Sequence, residues 1–304
     1  MNDLVTDVKS LELETLKNLK SSKAPNTLRA YRADFKDFSG FCYRNGFKSM
    51  PSEPKVISLY ITHLSKYSKF STLKRRLASI SVIHRLSGHY IDTKHPIITE
   101  NLMGIKRVKG SYQKPKKPIL INDLKLILNV IDKEKNEKIK SKNRALILVG
   151  FAGGFRRSEL VAILYEDVDF VPEGVKLFVK RSKTDQSGEG MTKGIPYFSN
   201  PDYCPVISLK NWLEKSEIKS GKIFDISDRS VALTIKKYTA IAGLDSNKYS
   251  GHSLRSGFAT SAAELGAEER SIMAMTGHKT TQMVRRYIQE ANLFKNNALN
   301  KIKL

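Results

Sequence analysis

The sequence predicts a mainly α-helical protein of two domains that carries one small β-sheet. Over most of the chain, apolar residues recur at three- and four-residue steps, which is the period of an amphipathic helix. Residues 175–198 alternate apolar and polar side chains instead, as the strands of a β-hairpin do. A basic stretch with two prolines, residues 106–118, interrupts both patterns and divides the chain unequally.

The first part of the chain predicts an arm followed by a helical bundle. Residues 1–24 form the arm, which contains a short amphipathic helix whose stripe is Leu11, Leu16 and Leu19. Residues 25–108 predict the bundle, with helices that begin at Pro25, near Pro54 and at Ser71. The helix from Pro25 carries an aromatic and apolar stripe that we expect in the core, made of Leu28, Tyr31, Phe35, Phe38 and Phe41.

The second part predicts a larger domain. The boundary sequence KRVKGSYQKPKKP holds six basic residues in thirteen and predicts an extended linker, assigned to residues 109–118. The domain that follows, residues 119–288, predicts helices at Ile121–Ile131 and Ala145–Ala152, then the hairpin, then mainly helix. Residues 289–304 predict a helical tail.

The charge favours a polyanionic partner. The chain has 53 basic and 30 acidic residues, a formal net charge of +23 and a pI of about 9.8. A protein that neutralises phosphates releases condensed counterions, so nucleic acid is the favoured partner over an anionic membrane or a merely solvated surface. Residues 1–118 hold 23 basic and 9 acidic residues and are the more basic part, so both domains are expected to hold DNA.

Several other classes of protein are disfavoured. The sequence has no apolar run of about 18 residues and no signal-peptide pattern at its start, which predicts a cytoplasmic protein without a membrane span. Cys42 and Cys204 lie far apart without neighbouring ligand-type residues, and the six histidines lack metal-site spacing. We therefore expect no disulfide, no metal and no cofactor.

Four separate segments carry chemically capable side chains. They are GFRRSEL from Gly154, Lys183 in the predicted hairpin turn, GHSLR from Gly251, and Gly277-His278 with Tyr287 nine positions later. Each alone has an ordinary structural explanation, such as a surface arginine pair, an exposed turn lysine or a packing tyrosine. Only their combination, in this order and at this spacing, indicates a function.

Together these segments resemble the tyrosine recombinase (phage integrase) family over roughly residues 25–290. Residues 62–88 and 250–267 are also similar to parts of Cre recombinase, although His278 stands where Cre has tryptophan, as is common elsewhere in the family. The resemblance implies a set of catalytic residues: Arg156 with its acidic partner Glu159, the hairpin lysine Lys183, His252 and Arg255 of the H-x-x-R box, His278, and the nucleophile Tyr287.

Elementary chemistry agrees with this set. Breaking a phosphodiester needs a nucleophile, cations at the non-bridging oxygens and a proton for the leaving oxygen. Arg156 and Arg255 can clamp the phosphate, and Lys183 can protonate the leaving 5′ oxygen. Strand joining needs no ATP, because a covalent phosphotyrosine conserves the energy of the bond. No metal ion is needed, because two arginines and a lysine can replace the metal ions that many nucleases use.

The resemblance further implies a two-domain DNA clamp: a helical-bundle core-binding domain plus a tyrosine recombinase catalytic domain. The expected partners are double-stranded DNA with a short inverted-repeat site and three further copies of the protein, which exchange strands through a Holliday junction; whether an accessory protein takes part stays open. Two groups of basic residues are candidates for binding DNA, although either can be a solvated face: Lys74, Arg75, Arg76, Lys106, Arg107 and Lys109.

Two rival functions remain at this stage. A type IB topoisomerase or telomere resolvase uses a related tyrosine site, but the two-domain layout and the short tail favour recombination. A DNA-binding architectural protein without catalysis is disfavoured because the full set of catalytic residues is present. The apolar tail residues Leu293, Phe294, Leu299 and Ile302 either pack on their own domain or, as the resemblance implies, dock into a neighbouring subunit.

Overall fold

The computed structural model describes residues 7–112, 114–180, 189–291, 300 and 302. Over these residues the chain is mainly helical with one three-stranded sheet, which confirms the predicted fold class. It divides into two compact units, Met1–Lys114 and Pro115–Leu304. The division falls inside the basic stretch at residues 106–118.

The first unit consists of helices packed around an aromatic core. The helices of its described part are α1 (Val8–Ser21), α2 (Pro25–Arg44), α3 (Pro54–Ser65), α4 (Phe70–Leu86) and α5 (Pro96–Lys109). Proline at the first position of α2, α3 and α5 starts each helix without losing a backbone hydrogen bond. Phe38 of the predicted stripe is fully buried against Tyr60, and Phe41 also packs on that ring.

Two local predictions in the first unit turn out differently. Helix α1 forms as expected, but Leu11 and Leu19 of its predicted stripe are exposed. Residues 106–109, predicted to be extended, form the last turn of α5. Three basic residues in that turn interact favourably with the negative end of the helix dipole, and Gly110, at φ 70°, ends the helix.

The second unit consists of helices and the small sheet. Its helices are α6 (Ile121–Ile131), α7 (Glu137–Ala152), α8 (Arg157–Leu160), α9 (Pro205–Ser216), α10 (Asp228–Ile241), α11 (Ser253–Glu264), α12 (Glu269–Thr276) and α13 (Thr281–Ala291). The run Ala145–Ala152 is buried throughout, which places the second half of α7 at the centre of the core. Helix α13 extends to Ala291 and so includes the first residues of the predicted tail.

The sheet is antiparallel, in the order β1 (Val168–Val171), β2 (Gly174–Val179) and β3 (Met191–Pro196). The predicted alternation is confirmed, since Val175, Leu177 and Val179 are buried and the residues between them are exposed. Residue 174 must be glycine, because a Cβ atom there would lie 2.1 Å from the carbonyl oxygen of Ile195. Strand β1 was not predicted.

Candidate active site

Arg156 sits at the end of a tight turn between α7 and α8. The turn, Gly153-Gly154-Phe155, reverses the chain with Gly154 at φ 54° and buries the Phe155 ring. Glu159, one turn into α8 and 2% exposed, accepts hydrogen bonds from the backbone N–H of Arg156, at 3.0 Å, and from its guanidinium. The carboxylate therefore fixes both the backbone and the side chain of Arg156.

Arg255 approaches the same turn from α11. Its side chain is completely buried, and one Nη donates to the carbonyl oxygen of Gly154 at 2.9 Å. Its Nε and its other Nη have no hydrogen-bond partner among the described residues. Burial, and then the nearby charge of Arg156, lower the pKa of Arg255 to about 10, so the group remains a cation at neutral pH. A buried cation with donors to spare is suited to receive an anion.

His278 follows α12 and is also buried, at 6% exposed. The hydroxyl of Thr276 donates to the carbonyl of Ile272 at 2.6 Å and lies 2.8 Å from Nδ1 of His278. Because that hydroxyl hydrogen is already used, the contact assigns the imidazole proton to Nδ1. Burial, followed by the charges of Arg255 and Arg156, lowers the pKa of His278 to about 4. The imidazole is therefore neutral near pH 7, with Nε2 as a hydrogen-bond acceptor.

Tyr287 projects from α13 towards the two histidines. Its hydroxyl lies 3.5 Å from Nε2 of His252, and its ring faces that of His278 with centroids 6.1 Å apart. The tyrosine is partly buried against a small apolar cluster shared by α11, α12 and α13, made of Ala259, Ala263, Ile272 and Val284. His252 stands at the start of α11, three residues before Arg255. The phenol can thus pass its proton to an imidazole.

Six of the seven predicted catalytic residues belong to this one neighbourhood of the second unit. The seventh, Lys183, lies outside the described residues. Among the residues that are described, no three histidine, cysteine, aspartate or glutamate side chains come together as a metal site requires. In the same part of the chain, no helix has both the length and the apolar character to cross a membrane.

Sequence reasoning missed two residues around the site. One is Thr276, which fixes the tautomer of His278. The other is Lys193 of β3, whose ammonium is buried beneath the turn that carries Arg156. The period-two pattern of β3 contains a signal for Lys193, because this residue shares the inward face of the strand with Ile195.

The proposed DNA-binding residues lie in the first unit and differ in their surroundings. Lys74 is exposed on α4, and Lys106, Arg107 and Lys109 are exposed on the last turn of α5. Arg75 and Arg76 instead form ion pairs with the buried Asp34, and Arg76 also pairs with Asp37. Part of the charge of these two arginines is therefore neutralised within the unit.

Known proteins are similar to this chain in sequence and in fold. The profile of the phage integrase family matches residues 119–293. An integrase/recombinase XerD homolog of Selenomonas ruminantium is 42% identical to the chain over 99% of this chain and 92% of that protein. A tyrosine recombinase of Agathobacter rectalis is 25% identical over 96% of this chain and 94% of its own length.

Two solved structures share the fold. One is the XerH site-specific recombinase bound to palindromic difH substrate, with a TM-score of 0.62 and 18% identity over 81% of this chain and 73% of that one. The other is a lambda integrase tetramer bound to a Holliday junction, with a TM-score of 0.60 and 16% identity over 99% of this chain and 81% of that one. The similarity to Cre recombinase stays a prediction.

Proposed function

The chain belongs to the phage integrase family and is a tyrosine site-specific recombinase, and from that premise we propose that it cuts and rejoins DNA through a 3′-phosphotyrosine intermediate. The observation that carries this proposal is the buried, incompletely hydrogen-bonded guanidinium of Arg255, which donates a hydrogen bond to the turn that presents Arg156. Tyr287 approaches the same neighbourhood beside His252 and His278. A phosphate bound there meets cations and a nucleophile.

The cleavage step needs no reactant other than the DNA and the side chains of the protein. The phenol oxygen of Tyr287 attacks the scissile phosphorus, and His252 accepts the phenol proton. Arg156 and Arg255 neutralise the non-bridging oxygens, on which negative charge increases in the transition state. The bond from phosphorus to the 5′ oxygen breaks, and we assign the proton for that oxygen to Lys183.

His278 begins this reaction as an acceptor. With its proton on Nδ1, it can donate from Nε2 to a phosphate oxygen only after gaining a second proton. A bound anion favours that gain, because it offsets the charges of Arg255 and Arg156 that hold the pKa of His278 down. Binding of the phosphate and protonation of His278 are therefore coupled in this proposal.

Strand exchange follows from reversing the cleavage step. The free 5′ hydroxyl of a second duplex attacks the phosphotyrosine, joins the strands and restores the Tyr287 phenol, so that no ATP is consumed. Exchange of one strand pair at a time passes through a Holliday junction. We propose that the two units clamp double-stranded DNA at a short inverted-repeat site, and that four copies of the chain assemble on the paired sites.

The second unit offers a surface for such an assembly. An apolar groove of about 500 Å³ lies among α6, α7, α11 and β3, and its lining includes Leu124, Phe151, Ile195, Phe198 and Leu265. We call it the apolar groove and propose that it receives the tail of a neighbouring copy. A head-to-tail contact of this kind closes into a ring when the rotation between subunits permits.

Covalent capture tests the proposed chemistry and finds the DNA sequence that the chain cuts in the same experiment. The purified chain is incubated with a pool of random-sequence duplexes, each nicked so that the short fragment with the new 5′ hydroxyl diffuses away after cleavage. Protein-linked DNA is recovered after denaturation and sequenced. We expect inverted-repeat sequences joined by their 3′ phosphate to Tyr287, and no adduct from Tyr287→Phe, which still binds the recovered duplex.

The outcome separates recombination from its rivals. Sequence-specific adducts that also yield exchanged strands between two sites support recombination. Relaxation of supercoiled plasmid without exchange indicates a topoisomerase instead. Binding without any adduct indicates an architectural protein, and an adduct that persists in Tyr287→Phe removes this residue from the role of nucleophile.

A further inference from the structure

Lys193 is a buried lysine without an assigned role. It lies on β3 and is 1% exposed, and its Nζ donates to the carbonyl oxygen of Gly153 at 2.7 Å. The same ammonium stands 4.3 Å from the centroid of the Phe155 ring, a cation–π distance. Both contacts are made to the turn that ends at Arg156.

Basic side chains hold this turn from two sides. Lys193 holds the carbonyl of Gly153 from the sheet, and Arg255 holds the next carbonyl, that of Gly154, from α11. Lys193 belongs to β3 and Arg255 to α11, so their contacts tie both elements to the turn at the place where Arg156 emerges. A shift of this turn moves the phosphate clamp, and misplacement by about 1 Å can cost a hundredfold in rate.

A buried lysine at this position destabilises the folded protein more than an apolar side chain would, so a purely structural task does not explain it. The charged groups that face it are Arg156 and Glu159 from the turn and α8, and Arg255 from α11. The carboxylate of Glu159 forms its ion pair with Arg156, and among the described residues Lys193 forms none. Burial is the main cause that lowers the pKa of Lys193 to about 7; Arg255 and Arg156 contribute to this lowering, and Glu159 opposes it.

We propose that Lys193 is a positioning residue that holds the Arg156 turn and takes up a proton when a phosphate binds at Arg156 and Arg255. This inference rests on the proposed function of that site. The incoming anion offsets the two arginine charges that disfavour a charged ammonium, so the lysine becomes a third cation behind the clamp. The pentavalent transition state carries more negative charge than the bound diester, so the protonated lysine stabilises the transition state more strongly.

The proposed role is distinct from that of Lys183. Lys193 is too deeply buried to touch the leaving 5′ oxygen, so it is not the acid that protonates it. Replacing the bridging 5′ oxygen with sulfur removes the need for an acid. That substitution is expected to rescue Lys183→Ala and to leave a Lys193 variant slow.

Direct titration of the lysine is the first test. The Tyr287→Phe chain is labelled with ¹³C at lysine Cε, and the Lys193 resonance is identified by its loss in Lys193→Arg. We expect it to titrate near pH 7 in the free protein and at least one unit higher with inorganic tungstate, a phosphate mimic. A titration that tungstate leaves unmoved overturns proton uptake, and it does so whether or not the protein cleaves DNA.

Variants provide the second test, on nicked duplex recovered by covalent capture. We expect Lys193→Met to bind that duplex within about twofold of the original chain, to melt no lower, and to form adduct roughly ten- to a hundredfold more slowly at pH 7. Lys193→Arg, which keeps a charge at every pH, should recover most of the rate and lose the pH dependence that Lys193 contributes.

Cleavage by Lys193→Met at the original rate overturns the inference, as does a lower melting temperature shared by both variants with equal loss of rate. Failure of the unmodified chain to form any adduct would count against the proposed function instead.

Discussion

Arg255 and Gly154 are joined by a hydrogen bond of 2.9 Å from a guanidinium that is completely buried. The bond ties α11 to the turn that presents Arg156, while two other nitrogens of the guanidinium lack partners among the described residues. A charge desolvated in this way weakens the folded state, and it strengthens every contact with an incoming phosphate. The site is thus organised before DNA arrives.

Substitution of either arginine should separate catalysis from stability. We expect Arg156→Ala and Arg255→Ala each to slow adduct formation by at least about a hundredfold, because one preorganised donor to the transition state is lost. Affinity for the DNA should change little, since many other phosphate contacts hold the duplex. The measurement is single-turnover cleavage beside a filter-binding titration. Near-normal cleavage by either variant would remove that arginine from the clamp.

Arg255→Met should show how the buried charge of Arg255 affects the stability of the folded protein. Methionine fills a similar volume without a charge, and replacing a buried charge with an apolar side chain is often neutral or stabilising. We expect the variant to melt no lower than the original chain while it cleaves no better than Arg255→Ala. A clearly lower melting temperature would mean that the guanidinium supports the fold through contacts beyond Gly154.

His278 should make the stability of the protein depend on pH. Its pKa in the folded protein, about 4, lies below the ordinary value of 6.5, chiefly because of burial. As the pH falls from 6.5 towards 4, the unfolded chain binds a proton at this residue and the folded chain does not, so the free energy of unfolding decreases. The loss relative to His278→Gln should reach up to about 3 kcal/mol, and it should be absent above pH 7. Parallel denaturation curves at pH 7.5, 6 and 4.5 check this difference, and curves that stay equally spaced would contradict it.

Lys183 can be tested although it lies outside the described residues. We expect Lys183→Ala to slow cleavage of ordinary DNA but not of DNA with a 5′-bridging sulfur, because a thiolate leaves without a proton. The comparison is the ratio of the two single-turnover rates for each protein. If sulfur gives no rescue, the proton for the leaving oxygen comes from another group.

The sequence predicted those parts of the molecule that depend on local patterns. Strand β2 was found because Val175, Leu177 and Val179 recur at every second position, and Arg156 and Glu159 were singled out through the GFRRSEL motif. The last turn of α5 was misjudged because lysine and arginine favour a solvated linker as readily as a helix end. Lys193 was missed for a related reason: lysines are rarely buried, so the period-two pattern that puts Lys193 on the same face as Ile195 was not followed, and the packing of β3 against the Gly153 turn shows the burial.

The basic residues of α4 should divide into two classes. Lys74 is exposed, so Lys74→Ala should weaken DNA binding and lower the salt dependence of the affinity by about one released counterion. Arg76 pairs with Asp34 and Asp37, so Arg76→Ala should mainly lower the melting temperature by leaving the buried Asp34 carboxylate short of a partner. Salt titrations and thermal melts of both variants check the division, and an exchange of the two effects would reverse it.

The tail should couple the subunits of the proposed tetramer. Helix α13 carries Tyr287 and includes the first two residues of the segment 290–304, whose apolar residues are Leu293, Phe294, Leu299 and Ile302. If these residues bind the apolar groove of a neighbouring copy, the contact joins one active site to the next and can move the helix that bears the nucleophile. If they bind the groove of their own chain, no such coupling arises.

Deletion of residues 290–304 distinguishes these cases when it is paired with a change in the groove. Leu265 lines the apolar groove and is 79% exposed, so Leu265→Glu should place a charge there without disturbing the core. We expect both variants to bind a single half-site normally, and both to lose cooperative binding and recombination on paired sites.

Mixing the two variants should restore part of the assembly, because the deletion mutant keeps an intact groove and Leu265→Glu keeps an intact tail. Native gel shifts on one-site and two-site DNA measure the cooperativity. Unchanged cooperativity in the deletion mutant, or variants that fail to complement each other, would mean that the tail packs only on its own domain.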